Sequence, residues 1–482
     1  MTNSVKTSKN KTLVWLREDL RLADNPALYE AASQGDVLVV YVYDTSNTRP
    51  YGAASKAWLH KSLTYLQKTT PVQIFKGDPL ELIPQLAEKH EITHVFWNRG
   101  YSSDVIARDK ELKTNLKKAG FEVQSFKGAL LVEPWEVAPK SSTFFKVFTP
   151  FWRACLKKLE DDKAPLKPLP APENMAFLTD EHALSLADLK LLPQGEGSWD
   201  KAMLENWKVG EANAHKKLEQ FCKEPISDYH ETRNRPDLSG TSKLSPHLHF
   251  GEISPRQVYH EVLKTLEQHP QNPKGADVFL SEIGWREFSY NLLYHIPTMP
   301  DAPLQEKFEN FKWDNNPQAL KKWQRGQTGY PIVDAGMREL YATGWMHNRV
   351  RMIVASFLIK DLFIHWKEGE TWFWDTLVDA DIASNTAGWQ WVAGSGADAS
   401  PYFRIFNPIT QGQKFDPHGH YVRKWIPELS PLPDDKLHAP WEASEGDLKL
   451  AGITLGKDYP KPMVNHKYAR EEALSRYKEI KK

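Results

Sequence analysis

Along roughly the first quarter of the chain, short apolar runs alternate with stretches of mixed polarity; the runs fall at 12–16, 37–43, 72–75, 93–97 and 122–126. Runs this short, rich in Val and aromatic residues and separated by amphipathic segments such as 79–89, predict parallel strands joined by crossover helices. Asp24 and Asn25 ahead of Pro26 predict a helix start. No GxGxxG follows the first run, so a dinucleotide fingerprint is absent. The segment 160–174, EDDKAPLKPLPAPEN, is dense in proline and predicts an extended surface linker, continued by a weakly patterned stretch to residue 198. From residue 201 the period changes to that of helices, at 201–222, 255–268, 276–294, 332–343, 347–365 and 371–379. The pattern therefore divides the chain into an α/β domain at 11–135, an interdomain connection at 136–200 and an all-α domain at 201–475, with no repeat of solenoid period.

Composition narrows the chemistry. A chain of 482 residues is long enough for two or three domains with full cores. Lys plus Arg equals Asp plus Glu at 62 each, so nucleic-acid binding is not signalled by net charge. A local excess of base remains at 321–351, where Lys321, Lys322, Arg325, Arg338, Arg349 and Arg351 face only Asp334 and Glu339; a solvated helix face explains it equally well. Cys155 and Cys222 are too few for a disulfide framework or a cysteine-rich metal site, and no metal is expected. The polar start MTNSVKTSKNK lacks an apolar h-region, and no apolar run is long enough to span a bilayer, so a cytoplasmic protein is expected.

Candidate chemistry concentrates in four segments. In 366–427, Trp366, Trp372, Trp374, Trp389, Trp391 and Trp425 mix with Asp379, Asp381, Arg404, Lys414, Arg423 and Lys424, which suits a ring-shaped ligand beside a polyanion. The run Gly240, Thr241, Ser242, Lys243, Leu244, Ser245 supplies hydroxyls, backbone N–H groups and a cation for a phosphate, although ordinary surface turns have this composition. Glu282, Trp285 and Arg286 sit at i, i+3 and i+4 on one predicted helix, where they would share a face able to hydrogen-bond and stack on a base; a packed Trp beside a Glu/Arg pair reads the same way. Asn348, Arg349, Arg351 and Met352 open a strongly apolar helix, and a guanidinium drawn into that apolar face needs a carboxylate partner such as Asp379. Trp313, Trp366 and Trp389 fit core packing as readily as electron transfer.

The motifs WLREDLRLADNPAL, KVFTPFW at 146–152, TGYPIVDAGMREL, TGWMHNRVRMIVASFLIKDL and GWQWVAGSGADASPYFRIFNP occur in order. With them the chain resembles the cryptochrome/photolyase family along nearly its whole length, and most resembles class I cyclobutane pyrimidine dimer photolyases. The resemblance implies a Rossmann-like antenna domain followed by an all-α domain that holds FAD. It places Tyr229, Thr241, Ser242, Lys243, Leu244 and Ser245 at the cofactor's phosphates and ribose and Asp379, Ala380 and Asp381 at its ring systems, with Arg351 also among the cofactor-binding residues. Asn385 would face flavin N5, where plant-type cryptochromes usually carry Asp. Trp389, Trp366 and Trp313 resemble an electron-transfer triad. Arg233, Glu282, Trp285, Arg286, Asn348, Arg349, Met352 and Trp391 resemble the damage-recognition set, with Trp285 and Trp391 as stacking wedges. Glu282, Asn385 and Met352 are the expected catalytic residues, and (6-4) photolyases usually carry His where Met352 stands.

The activity implied is light-driven repair of cyclobutane dimers in UV-damaged DNA, by a monomer that takes the dimer out of the stack. An antenna chromophore is expected in the N-terminal domain, either methenyltetrahydrofolate or a deazaflavin. Asp104 and Val105 stand where folate-binding relatives often carry Asn and Glu, which leaves a deazaflavin, another flavin or an empty cleft open. Two other readings stand beside repair: a signalling cryptochrome, which the early end of the chain after its last motif disfavours, and repair restricted to single strands as in the DASH group.

Overall fold

A computed structural model of the chain describes residues 10–140, 142–162, 167–193, 198–268, 273–399 and 404–481. The polar start at 1–9 and the SPYF part of the last motif, 400–403, lie outside the described residues.

All five expected strands form: β1 (Asn10–Leu16), β2 (Gly35–Asp44), β3 (Gln73–Gly77), β4 (His94–Asn98) and β5 (Glu122–Phe126). They pair in parallel in the order β3-β2-β1-β4-β5, with Val14 opposite Val39 on one side and Phe96 on the other. Helices cover both faces, which is why the central strands are apolar nearly throughout. The order reverses between β1 and β4, and at such a switch point the loops after the strands diverge and leave a cleft.

The helical half matches the predicted periods at Pro255–Gln268, Pro273–His295 and Pro331–Thr343. Elsewhere it corrects them. The helix expected at 201–222 is two, Trp199–Glu205 and Glu211–Lys223, parted at Gly210, whose φ of 106° no other residue type adopts easily. The helix expected at 347–365 ends at Lys360, and a new one, Trp366–Thr376, replaces that expected at 371–379.

The stretch 136–200 is more than a connection. It contains the helix Phe148–Asp161, which buries Phe148, Phe151, Trp152, Cys155 and Leu159 in the same core as Phe279, Ile283 and Phe288. Trp152 lies so close over Gly284 that a β-carbon there would stand 2.6 Å from its ring. Further on, Val37 and residues 176–178 exchange backbone hydrogen bonds beside β2.

Buried polar groups close the joint between the two halves. The Arg21 guanidinium donates to the carbonyls of Asp24, Gly128 and Gly251, and Glu287 accepts from the N–H groups of Leu131 and Val132. Among the described residues no helix is long and apolar enough to cross a membrane, and no cluster of His, Cys, Asp or Glu could hold a metal ion.

Candidate active site

Two helix N-termini open onto one cavity. His347 caps the helix Asn348–Lys360 by accepting the Arg349 N–H at 3.1 Å, and Asp381 caps Ile382–Ala393 by accepting the Ser384 N–H at 2.7 Å. Burial and the neighbouring Arg349 and Arg351 push the His347 pKa down to about 3, so it caps as a neutral imidazole. The first turns of these helices place Asn348, Arg351, Met352, Ser384 and Asn385 on the cavity, and Asp379, Phe373 and Trp389 complete its wall.

Arg351 donates to the Met346 carbonyl at 2.7 Å and to Asp379 Oδ2 at 2.8 Å, the carboxylate partner its apolar helix required. Asp379 Oδ1 is buried and, among the described residues, accepts from no protein group. Asn385 donates its amide N–H to the Glu370 carbonyl at 3.1 Å and to Glu370 Oε1 at 3.0 Å, so the end left for a ligand is its oxygen. Ala380 is buried and offers only backbone, while the Asp381 cap also accepts the Tyr290 hydroxyl.

The candidate phosphate run reaches this site through Trp345. Lys243 takes a left-handed φ of 51° and sets its ammonium 4.9 Å from the Trp345 ring, while Ser245 Oγ accepts the Trp345 indole N–H at 3.3 Å. Ser242 Oγ accepts the Leu244 N–H, Leu244 is buried, and Thr241 is half-buried. Trp345 in turn lies 5.9 Å from the Arg351 guanidinium. Tyr229 is buried against Phe221 and Phe279 with Arg233 over its ring at 5.8 Å.

These residues fit FAD. An isoalloxazine carries both donor and acceptor edges; among the described residues Asp379 Oδ1 is a buried acceptor without a partner, Asn385 presents a second acceptor, and Gly388 has open space within 4 Å of where a β-carbon would sit. Exposed Lys243 and Ser245 supply the charge and hydroxyl a pyrophosphate requires.

The expected damage-recognition residues divide. Asn348 and Met352 line the cavity. Glu282, its pKa raised by burial against the opposing pull of Arg233, forms an ion pair with that residue at 2.6 Å. Arg349 donates to Asn234 Oδ1 at 2.8 Å and lies 4.6 Å over Phe415. Trp285 stacks on Phe148 at 3.9 Å with planes 7° apart, and half-buried Trp391 lines a small separate cavity with Lys360 and Arg404. The two indoles thus do not line the cavity wall as a pair.

Arg286 stands apart from that cavity. Its guanidinium donates to the Ala129 carbonyl, pairs with Glu287 and lies 4.9 Å over Tyr290, on the cleft between the domains. Successive helical positions lie 100° apart, so with Trp285 packed on Phe148 its neighbour is carried round toward the α/β half.

Trp389 and Trp366 are each 2% exposed and Trp313 is half-buried, an inside-to-outside order. Trp389 packs edge-on against Phe373 at 5.0 Å and Trp323 at 6.2 Å.

A second cleft opens where the strand order reverses, lined from the ends of β1, β2 and β4 by Arg17, Glu18, Tyr43 and Arg99 and from the helical half by His249 and Trp374. Asp104 and Val105, the residues of the antenna expectation, stand on its wall. Glu370 and Arg49, an ion pair joining this cleft to Asn385, went unmarked in the sequence. Glu370 is one of two acidic residues in WKEGE, a pattern that gives no signal of burial, and its partner is remote in the chain.

Residues 12–173 match the family model described as DNA photolyase, and residues 279–479 match the model described as FAD binding domain of DNA photolyase. The chain is similar to the deoxyribodipyrimidine photo-lyase of Agrobacterium fabrum, at 46% identity over 99% of both chains. It is also similar to cryptochrome-2 of Arabidopsis thaliana, at 37% identity over 97% of this chain and 79% of that one. Among solved structures, a bacterial class III photolyase from Agrobacterium tumefaciens superposes with a TM-score of 0.94 at 45% identity over the whole of both chains.

Proposed function

Because the chain belongs to the cryptochrome/photolyase family, we propose that it repairs cyclobutane pyrimidine dimers in UV-damaged DNA in a light-driven reaction, as a monomer in the cytoplasm. The observation that carries this reading is the conjunction of Asn385, Met352 and the Asp379–Arg351 pair on one cavity. An amide and a thioether on that cavity supply no proton, which suits a ring-splitting that needs an electron and no acid. Asp379, Arg351 and Asn385 would hold reduced FAD, which when bound would supply light-driven one-electron chemistry with no net redox change.

The protein's part is orientation and field. Glu282, held by Arg233, would accept a hydrogen bond from the dimer. Arg349 would bind a flanking phosphate, so affinity should fall with salt. Asn348 and Met352 shape the end of the cavity that meets the flipped bases. The kinship with a class III enzyme favours that class over the class I affinity of the motifs. The cleft at the strand-order reversal suits an antenna chromophore.

Irradiated thymine-dimer DNA, duplex and single-stranded, should lose dimers under blue light in the presence of the protein with reduced FAD. No loss on either substrate rejects the reading, and loss on single strands alone transfers the chain to the DASH-type reading. Glu282→Ala should lower repair yield while FAD stays bound, and Trp313→Phe should slow photoreduction of oxidised flavin while sparing repair by flavin already reduced. A signalling role is the second reading, favoured by the similarity to a cryptochrome over nearly the whole chain.

A further inference from the structure

The imidazole of His365 stands between two of the candidate electron carriers. It stacks on Trp366 with ring centres 5.6 Å apart and planes at 29°, and meets Trp313 edge-on at 4.9 Å and 66°. Among the described residues it is the ring in contact with both indoles. Its position is fixed, because Nδ1 accepts the Lys367 N–H at 3.1 Å and so caps the helix Trp366–Thr376. With Nδ1 accepting, the ring proton of the neutral form sits on Nε2.

The charges around the ring keep it neutral. Burial and the Lys367 ammonium push its pKa below the ordinary histidine value. That ammonium is itself engaged by the Pro300 carbonyl and, at 3.2 Å, by Asp301. Asp301 and Glu309 share a water-accessible cavity with Trp313, His365 and Trp366. A neutral ring suits the passage of a positive hole, and the cavity gives an oxidised indole a route for its proton.

We propose that His365 is a positioning residue of the electron chain, its ring holding Trp366 and Trp313 in register and coupling the last transfer between them. The inference rests on reading Trp389, Trp366 and Trp313 as that chain. Electron exchange weakens steeply across an unfilled gap, and an aromatic ring in contact with both partners shortens that gap. In the step concerned one electron leaves Trp313 and fills the vacancy on Trp366, which has already given one inward. The flavin has then gained one electron, and Trp313 has lost one and releases its indole proton to water. A thiol supplied in solution restores Trp313 by giving a hydrogen atom.

The test compares His365→Leu with His365→Phe in the FAD-loaded protein. Both variants lose the cap, and only Phe restores an aromatic ring. Transient absorption after a flash on oxidised protein should show the Trp313 radical arriving about an order of magnitude later in His365→Leu and near the native time in His365→Phe, with equal thermal midpoints for the two. Equal slowing in both variants would assign His365 to capping alone, and native timing in His365→Leu would remove it from the path; either result overturns the proposal. Trp313→Phe separates the two levels of inference. If it slows thiol-driven photoreduction while His365→Leu does not, the chain stands and the role of His365 falls. If it changes nothing, the chain falls and this proposal falls with it.

Discussion

Gly369 has no side chain, and the indole of Trp389 occupies the place where one would be: a β-carbon there would lie 2.1 Å from Trp389 Cη2 and 2.7 Å from Leu358 Cδ2. Both neighbours are buried and neither can swing away, so Gly369→Ala overpacks the site at about 1–3 kcal/mol. The thermal midpoint should fall and photoreduction of bound flavin should slow together, because the displaced ring is the innermost proposed carrier. Gly388→Ala should behave oppositely. It sits in a helix on the cavity with nothing within 4 Å of the added carbon, and alanine favours helix by about 1 kcal/mol. The apoprotein should therefore be no less stable, yet retain FAD less well on dialysis; unchanged retention would mean that the flavin does not fill this part of the cavity. Neither role was legible in the sequence, since a glycine's contribution here is the space it leaves. The tryptophans it serves were legible, because their motifs are long and ordered.

Helix boundaries decide where the site's polar groups point, and they were the less legible feature. The apolar pattern runs on past Lys360 because Leu362, Phe363 and Ile364 remain buried after the helix has ended. Hydrophobic period reports burial and not backbone, so it cannot see the left-handed turn at Phe363, φ 55°, that frees His365 to cap the next helix. In the other direction, proline density hid a helix: Phe148, Phe151, Trp152, Cys155 and Leu159 carry a helical period beside the prolines that drew attention to the linker. The cap with the most consequence is Asp381, which accepts the Ser384 N–H with one oxygen and the Tyr290 hydroxyl with the other. Asp381→Ala removes a cap and orphans a buried phenol, a loss of about 1–3 kcal/mol. Asp381→Asn keeps an oxygen for Ser384 and should recover part of it. Denaturant midpoints of the two variants check the ranking, and Asn no better than Ala would assign the stability to the carboxylate charge.

At the scale of the whole molecule, two buried carboxylates couple the halves, and they predict different behaviour. Glu287, pushed up to about 7 by burial, binds its proton more tightly folded than unfolded. Its contribution is present below the ordinary value of 4.5 and is lost as pH rises through about 7. Stability measured from pH 5 to 8 should thus fall in the native protein relative to Glu287→Gln, by roughly 3 kcal/mol at most. Parallel curves would mean that Arg286 and the Leu131 and Val132 N–H groups hold the carboxylate charged throughout. Glu370 is fully buried and takes its counter-charge from Arg49 of the α/β half, whose guanidinium also lies 4.2 Å over Trp374. The same oxygen, Oε1, accepts the Asn385 amide. The surrounding strap is tight: Trp374 donates its indole N–H to the Pro50 carbonyl at 2.9 Å, and Ser55 donates to that of Leu377 at 3.1 Å. Arg49→Ala leaves a buried carboxylate without a partner charge, a loss of about 3–5 kcal/mol, and frees Asn385 to turn. The expected result is a lower thermal midpoint together with a shifted visible spectrum of the bound flavin. Arg49→Ala combined with Glu370→Gln removes the stranded charge while keeping an acceptor for Asn385, so it should regain most of the stability and the native spectrum. If the double variant is no better than the single one, Arg49 acts through its stacking on Trp374, and the orientation of Asn385 is set within the helical half alone.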